Sequence, residues 1–186
     1  MKTIVISGSR NPEGQTARAA RAWSAGAAEA GADTEIHYLP AGDIRLCRQC
    51  DDEGWGICRT EGRCIIDDDF ADLVDRIVAA EIVCFATPVY YADLAESLRA
   101  FLDRLRRTAQ FSEAGKARIA GKAAMAICVA GGRGGGAPAC CTQIDKILRT
   151  CGFDLWDAMP VRRQNLEAKC PTLRRHGRWM VRQARG

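Results

Sequence analysis

The chain has 186 residues, 47% of them hydrophobic and 27% charged, a balance that excludes a disordered or fibrous protein and suits one domain burying about 70% of its unfolded surface. No apolar run approaches the roughly 18 residues of a membrane span, and MKTIVISGSR is too weakly apolar for a secretory leader, so the expected location is the cytoplasm with no membrane partner. The net charge of +4 is uneven, because from Met159 to Gly186 eight Lys and Arg face one acid, Glu167, which leaves −3 on the remainder; with no recognition motif or interleaved aromatics, this tail reads as a solvated basic helix or an attraction for phosphate or an acidic redox partner, and not as a nucleic-acid site.

KTIVIS (Lys2 to Ser7) is a short β-branched run of the kind buried in parallel sheets. From Thr16 an Ala-rich stretch predicts a helix stopped by Gly31. DTEIHYLP (Asp33 to Pro40) predicts a second strand, and DDDFADLVDRIVAAE a helix whose Asp67, Asp68 and Asp69 sit where caps and the dipole favour acids. EIVCFATPV (Glu81 to Val89) is a third strand. LAESLRAFLDRLRR is an amphipathic helix, with Leu94, Leu98, Phe101, Leu102 and Leu105 on one face. KAAMAICVA (Lys122 to Ala130) is a fourth strand, a helix runs from Pro138 to about Thr150, and DLWDAMPV is a fifth strand. A last helix is expected from Pro171, with Leu173, Gly177, Met180, Val181 and Ala184 inward. Strand and helix alternate throughout, which predicts an α/β fold: a parallel sheet with helices on both faces, formed by residues 1–186 as one domain. The segment 41–66 interrupts the pattern, and a structureless stretch of that length is expected only where it is functional.

Ligands of open parallel sheets bind beyond the C-terminal strand ends, where the strand order reverses. Three loops of unusual composition leave such ends. GSRNPEGQT (Gly8 to Thr16) leads into a helix N-terminus suited to an anion, with Ser9, Arg10 and Thr16 as further donors. It fits neither GxxxxGK[ST] nor GxGxxG. TPVYYADL (Thr87 to Leu94) places Tyr90 and Tyr91 beside the stiff Pro88. GGRGGG (Gly131 to Gly136) lets the backbone approach a ligand closely. Separately each loop is an ordinary turn; together they suit a phosphate at the first and a flat ring between the other two.

The stretches SGSRNPEGQT, TPVYY, DRLRR and GGRGGG resemble the flavodoxin-like NAD(P)H-dependent FMN reductases, and the cysteine segment followed by CIIDDDF resembles their iron–sulfur flavoprotein branch, as does MPVRRQNLEAK. The resemblance covers nearly the whole chain. It implies a flavodoxin-like sheet of five parallel strands in order 2-1-3-4-5. It implies FMN, with phosphate near Ser9, Arg10, Gln15 and Thr16, and a ring against Pro88, Val89, Tyr90 and Tyr91 and against Gly131, Gly132, Arg133 and Gly136. It also implies a homo-oligomer, dimer or tetramer, and an electron donor that is NAD(P)H or a ferredoxin-like protein.

Four of the ten cysteines, Cys47, Cys50, Cys58 and Cys64, fall within eighteen residues at spacings x2, x7 and x5. The middle gap is about five residues longer than the compact run of the iron–sulfur branch, an insertion that a loop absorbs at little entropic cost. Four thiolates suit a [4Fe–4S] cluster or a structural zinc, and reduced thiols without a ligand are the plain alternative. Cys84, Cys128, Cys140, Cys141, Cys151 and Cys170 read as structural, and His37 and His176 receive no role. Trp55 covers a flavin or substrate, or packs within its own loop. No Ser–His–Asp or Cys–His pattern points to a hydrolase. The expected activity is an FMN-dependent oxidoreductase whose cluster couples one- and two-electron steps. The alternatives are a cluster-free NAD(P)H-dependent quinone, azo or nitro reductase, a non-enzymatic flavodoxin-like electron carrier, and a zinc-stapled binding module.

Overall fold

The computed structural model describes residues 1–186. Its strands are β1 (Lys2–Ser7), β2 (Asp33–Tyr38), β3 (Ile82–Tyr90), β4 (Asp93–Leu94), β5 (Ala123–Ala130) and β6 (Asp154–Arg162). Its α-helices are α1 (Gln15–Glu29), α2 (Phe70–Ala79), α3 (Glu96–Gln110), α4 (Glu113–Ile119), α5 (Ala137–Cys151) and α6 (Leu166–Ala184). The sheet runs β2-β1-β3-β5-β6, all parallel, and β4 pairs antiparallel to the end of β3. With the two-residue β4 set aside, this is the expected 2-1-3-4-5 order; β4 makes a sixth strand.

The pleat divides the apolar residues between two cores. Ile4, Ile6, Val83, Phe85, Ala124 and Ala126 face α2, α3 and α5. Val5, Ile82, Cys84, Met125 and Ile127 face α1 and α6. This two-sided burial is why the strands read as continuous apolar runs. Glycines let α1 and α6 touch backbone to backbone: a Cβ on Gly177 would lie 2.2 Å from the Trp23 carbonyl oxygen, and one on Gly26 1.8 Å from that of Arg174.

Two elements depart from the sequence expectation. α6 begins at Leu166, ahead of Pro171, which the helix accommodates in its interior because Leu166 packs into the core. α4 has only seven residues, of which Gly115 and Ile119 alone are buried, so it carries no periodicity; it is set by Ser112, whose Oγ accepts from Gly115 N at 3.0 Å.

Candidate functional site

The strand order reverses between β1 and β3, and the three singled-out loops converge there. Gly8 N donates to Ala86 O at 2.9 Å, and Ser97 Oγ donates to Gly8 O at 3.1 Å, which locks the first loop to the second. The second is a hairpin: Val89 and Tyr90 pair with Leu94 and Asp93, and Tyr91 and Ala92 both hold positive φ, 51° and 63°, as a two-residue type I′ turn requires. Thr87 Oγ1 accepts from Ala95 N at 3.0 Å and closes its base. The third loop reaches the same place, because Gly136 lies so near the hairpin that a Cβ there would meet Ala92 Cα at 2.9 Å.

In the first loop Ser9 Oγ donates to Asn11 O at 3.1 Å, and Gly14 N donates to Asn11 O at the same distance, which shapes the approach to α1. The N-cap of α1 is Gly14, no side chain caps it, and its first turn has no acid. Its free N–H groups therefore present the positive end of a fifteen-residue helix, an anion-ready arrangement. Ser9 and Thr16 are buried at this end, while Arg10 is exposed and paired with Glu96. Tyr91 is fully exposed and packs on nothing in the protein, while Tyr90, 58% exposed, is only partly covered.

An open groove is lined by Arg10, Tyr90, Tyr91, Glu96, Ser97 and Arg99. Of the expected cofactor residues, Arg10, Tyr90 and Tyr91 line it; Ser9, Gln15, Thr16, Pro88, Val89, Gly131, Gly132, Arg133 and Gly136 lie on the three loops and strand ends around it. The polar lining residues outside the loops the sequence singled out are Glu96, Ser97 and Arg99. Their signal was position alone, at the start of a helix leaving a loop already singled out. Cβ atoms on Gly131, Gly132 and Gly135 would meet open space, so this backbone is bare toward solvent. An uncapped helix start beside a bare glycine loop and two exposed tyrosines fits a phosphate-bearing flat cofactor.

The cysteine segment packs against the end of α3. Cys47, Cys50, Cys58 and Cys64 line one cavity together with Trp55, Ile57, Arg104 and Arg107. Arg48 and Arg63 also line it, so four arginines and no carboxylate surround the four thiols. The thiols are not drawn together: no group of three or more His, Cys, Asp or Glu is arranged to hold a metal ion. Burial pushes the Cys58 thiol up, against the Gly56 backbone hydrogen bond and the nearby Arg107, which favour the thiolate. The donor set, four cysteine sulfurs among four arginines, fits a thiolate-held centre in kind, though not in its present arrangement.

Asp68 is not chiefly a helix cap. It and Arg104 form a fully buried ion pair, with Nη1 to Oδ2 at 2.6 Å and Nη2 to Oδ1 at 3.0 Å. Burial disfavours its charge, but Arg104 and the N–H groups of Arg45 and Phe70 outweigh this and hold the carboxyl below its usual range. Asp69 Oδ2 likewise accepts from Asp43 N at 2.7 Å, so both acids strap the cysteine segment down. Trp55 packs edge-on to Phe111, with ring centroids 4.4 Å apart, and under Arg107 at 4.8 Å; it anchors its own loop. His176, assigned no partner from sequence, sits 3.0 Å from Asp157 Oδ2.

The fold and the converging loops define a flavodoxin-like α/β protein. A solved NAD(P)H:quinone oxidoreductase from Methanothermobacter marburgensis superposes with a TM-score of 0.72 at 19% identity, covering 97% of this chain and 96% of that one. RosB, solved with a bound riboflavin-phosphate intermediate, gives 0.76 at 17% identity, covering 100% and 79%. The pattern of the NADPH-dependent FMN reductase family matches residues 1–159, and the chain belongs to that family. An iron-sulfur flavoprotein of Methanocaldococcus jannaschii is 33% identical over 106 residues, 57% of this chain and 52% of that protein. One from Methanosarcina thermophila is 30% identical over 112 residues, 59% and 53%. The chain thus spans about half the length of these relatives.

Proposed function

We propose that this protein is an FMN-dependent oxidoreductase of the iron–sulfur flavoprotein branch, with FMN at the β1–β3 switch point and an iron–sulfur centre on Cys47, Cys50, Cys58 and Cys64. The observation that carries it is the meeting of an uncapped α1 N-terminus, an exposed tyrosine hairpin and a bare glycine loop at one strand-order reversal. When bound, FMN supplies two-electron acceptance with one-electron release, and a cluster supplies single-electron transfer.

The chain's own residues bind and orient. The N–H groups at Gln15 and Thr16, with Ser9 and Arg10, hold the phosphate. Tyr90, Tyr91, Pro88 and Val89, and Gly131, Gly132, Arg133 and Gly136, would lie against the ring. No side chain at this site is required as an acid or base. Asp68 and Arg104 hold the cysteine loop against α3, so the two centres share one rigid support. The donor is NADPH, in keeping with the family, or a ferredoxin-like protein attracted by the basic α6. Exposed Leu46, Ile65 and Phe111 around the cysteine segment suit a homo-oligomer contact.

Iron, acid-labile sulfide and flavin analysis of protein purified without oxygen tests this reading. FMN with iron and sulfide supports it. FMN without iron leaves a cluster-free reductase, the reading favoured by the undrawn thiols. Zinc without flavin refutes both. Steady-state NADPH oxidation with a quinone then separates a reductase from a carrier that needs its protein partner.

A further inference from the structure

Arg104 and Arg107 stand one turn apart on α3, and both line the cysteine cavity. Arg104 is buried to 1% exposure. Besides Asp68 it donates to Arg45 O at 3.0 Å, and its Nη2 lies 3.3 Å from Cys64 Sγ. Its charge is matched by Asp68. Arg107 has no such bidentate carboxylate: Nη1 donates to Gly54 O at 2.6 Å, and its buried Nε, like that of Arg104, has no hydrogen-bond partner. Asp103 Oδ2, at 3.8 Å, is too far to accept and is itself half exposed. A buried, unpartnered guanidinium N–H is costly unless something anionic satisfies it. The cavity it lines contains four sulfurs and no carboxylate.

We propose that Arg104 and Arg107 are positioning residues that form a cationic floor beneath the four cysteines and raise the reduction potential of the metal centre those cysteines would hold. The inference rests on the iron–sulfur reading above. Net charge and hydrogen bonds to the sulfurs are the protein's main means of setting such potentials. Arg104 fixes Cys64 to the scaffold, because the same guanidinium grips Asp68 and the thiol. Arg107 supplies a second charge, met only by the half-exposed Asp103 at 3.8 Å, and its fixed planar fork distinguishes it from a lysine at the same place.

The test is an EPR-monitored redox titration, with iron and sulfide analysis, of anaerobically purified wild type, Arg107→Gln and Arg107→Lys. The expected result is wild-type folding by circular dichroism, with Arg107→Gln either keeping its iron at a lowered midpoint potential or losing iron while keeping FMN; Arg107→Lys falls between. An Arg107→Gln chain with wild-type iron and wild-type potential overturns the proposal. Should Arg107→Gln not fold, Arg107→Lys decides, and an unchanged potential there has the same meaning. Wild type that contains FMN but no iron sinks the iron–sulfur reading itself, a failure visible before any variant is made.

Discussion

Removing the charge of Asp68 tests whether the cysteine segment is held by α3. Asp68→Asn keeps the shape but leaves the Arg104 guanidinium, 1% exposed, without a counter-charge in a site it cannot leave. Breaking a buried pair from one side costs about 3–5 kcal/mol. In a chain of 186 residues each kcal/mol moves Tm by about 2–4 °C, so the melt falls by about 6–20 °C. The double variant Asp68→Leu/Arg104→Met replaces the pair by apolar groups and recovers most of the loss. It stays about 1–3 kcal/mol below wild type, because the Arg45 N–H that donates to Asp68 at 2.8 Å loses its acceptor. The assay is urea unfolding of Asp68→Asn and of the four chains of the cycle (wild type, Asp68→Leu, Arg104→Met and the double variant), read as midpoint and slope. A loss below about 1 kcal/mol for Asp68→Asn, or strict additivity in the double variant, refutes the reasoning, since residues in such contact should couple.

Tyr91→Ala removes a ring that packs on nothing in the protein, so Tm stays put while the FMN Kd, followed by flavin fluorescence, rises roughly 2- to 13-fold, the equivalent of about 0.5–1.5 kcal/mol for one aromatic contact. Gly136→Ala pushes a methyl against Ala92 Cα, 2.9 Å away, and separates the glycine loop from the tyrosine hairpin; FMN titration should show weaker binding with little change in urea midpoint. Gly177→Ala strikes the Trp23 carbonyl and costs about 1–3 kcal/mol through the α1–α6 contact, without changing FMN affinity in the surviving folded protein. Burial lowers the pKa of both His37 and His176 below the ordinary 6.5; the unfolded chain then binds more protons, so stability is full above about pH 6.5 and declines as pH falls through that value toward the folded pKa. His176→Gln should flatten part of that slope in pH-dependent melts.

How far the sequence carries the argument follows from where its signals are local. The five parallel strands and their order were legible because two-sided burial leaves unbroken apolar runs such as Ile4 to Ile6, and strand–helix alternation then admits few topologies. The three loops of the candidate site were legible because strand ends, helix starts and glycine runs mark themselves in composition. What composition does not mark is a contact between residues far apart in the chain. Asp68 looks like a helix cap beside Phe70, and Arg104 like one more cation in DRLRR; only when α3 is laid along the cysteine segment do they become a buried pair 36 residues apart. The same holds for Arg107. Its Nε is orphaned only because Trp55 and Gly54, more than fifty residues earlier, close over it. The cysteines show the converse. Their spacing placed them in one loop, and the fold does bring all four to one cavity with four arginines. The thiols are nonetheless not arranged as a metal site, because the insertion DDEGWGI is held by contacts of its own, Trp55 against Phe111 and Gly54 O accepting from Arg107. The support of the cysteine segment therefore belongs to the tertiary fold and is present in α3.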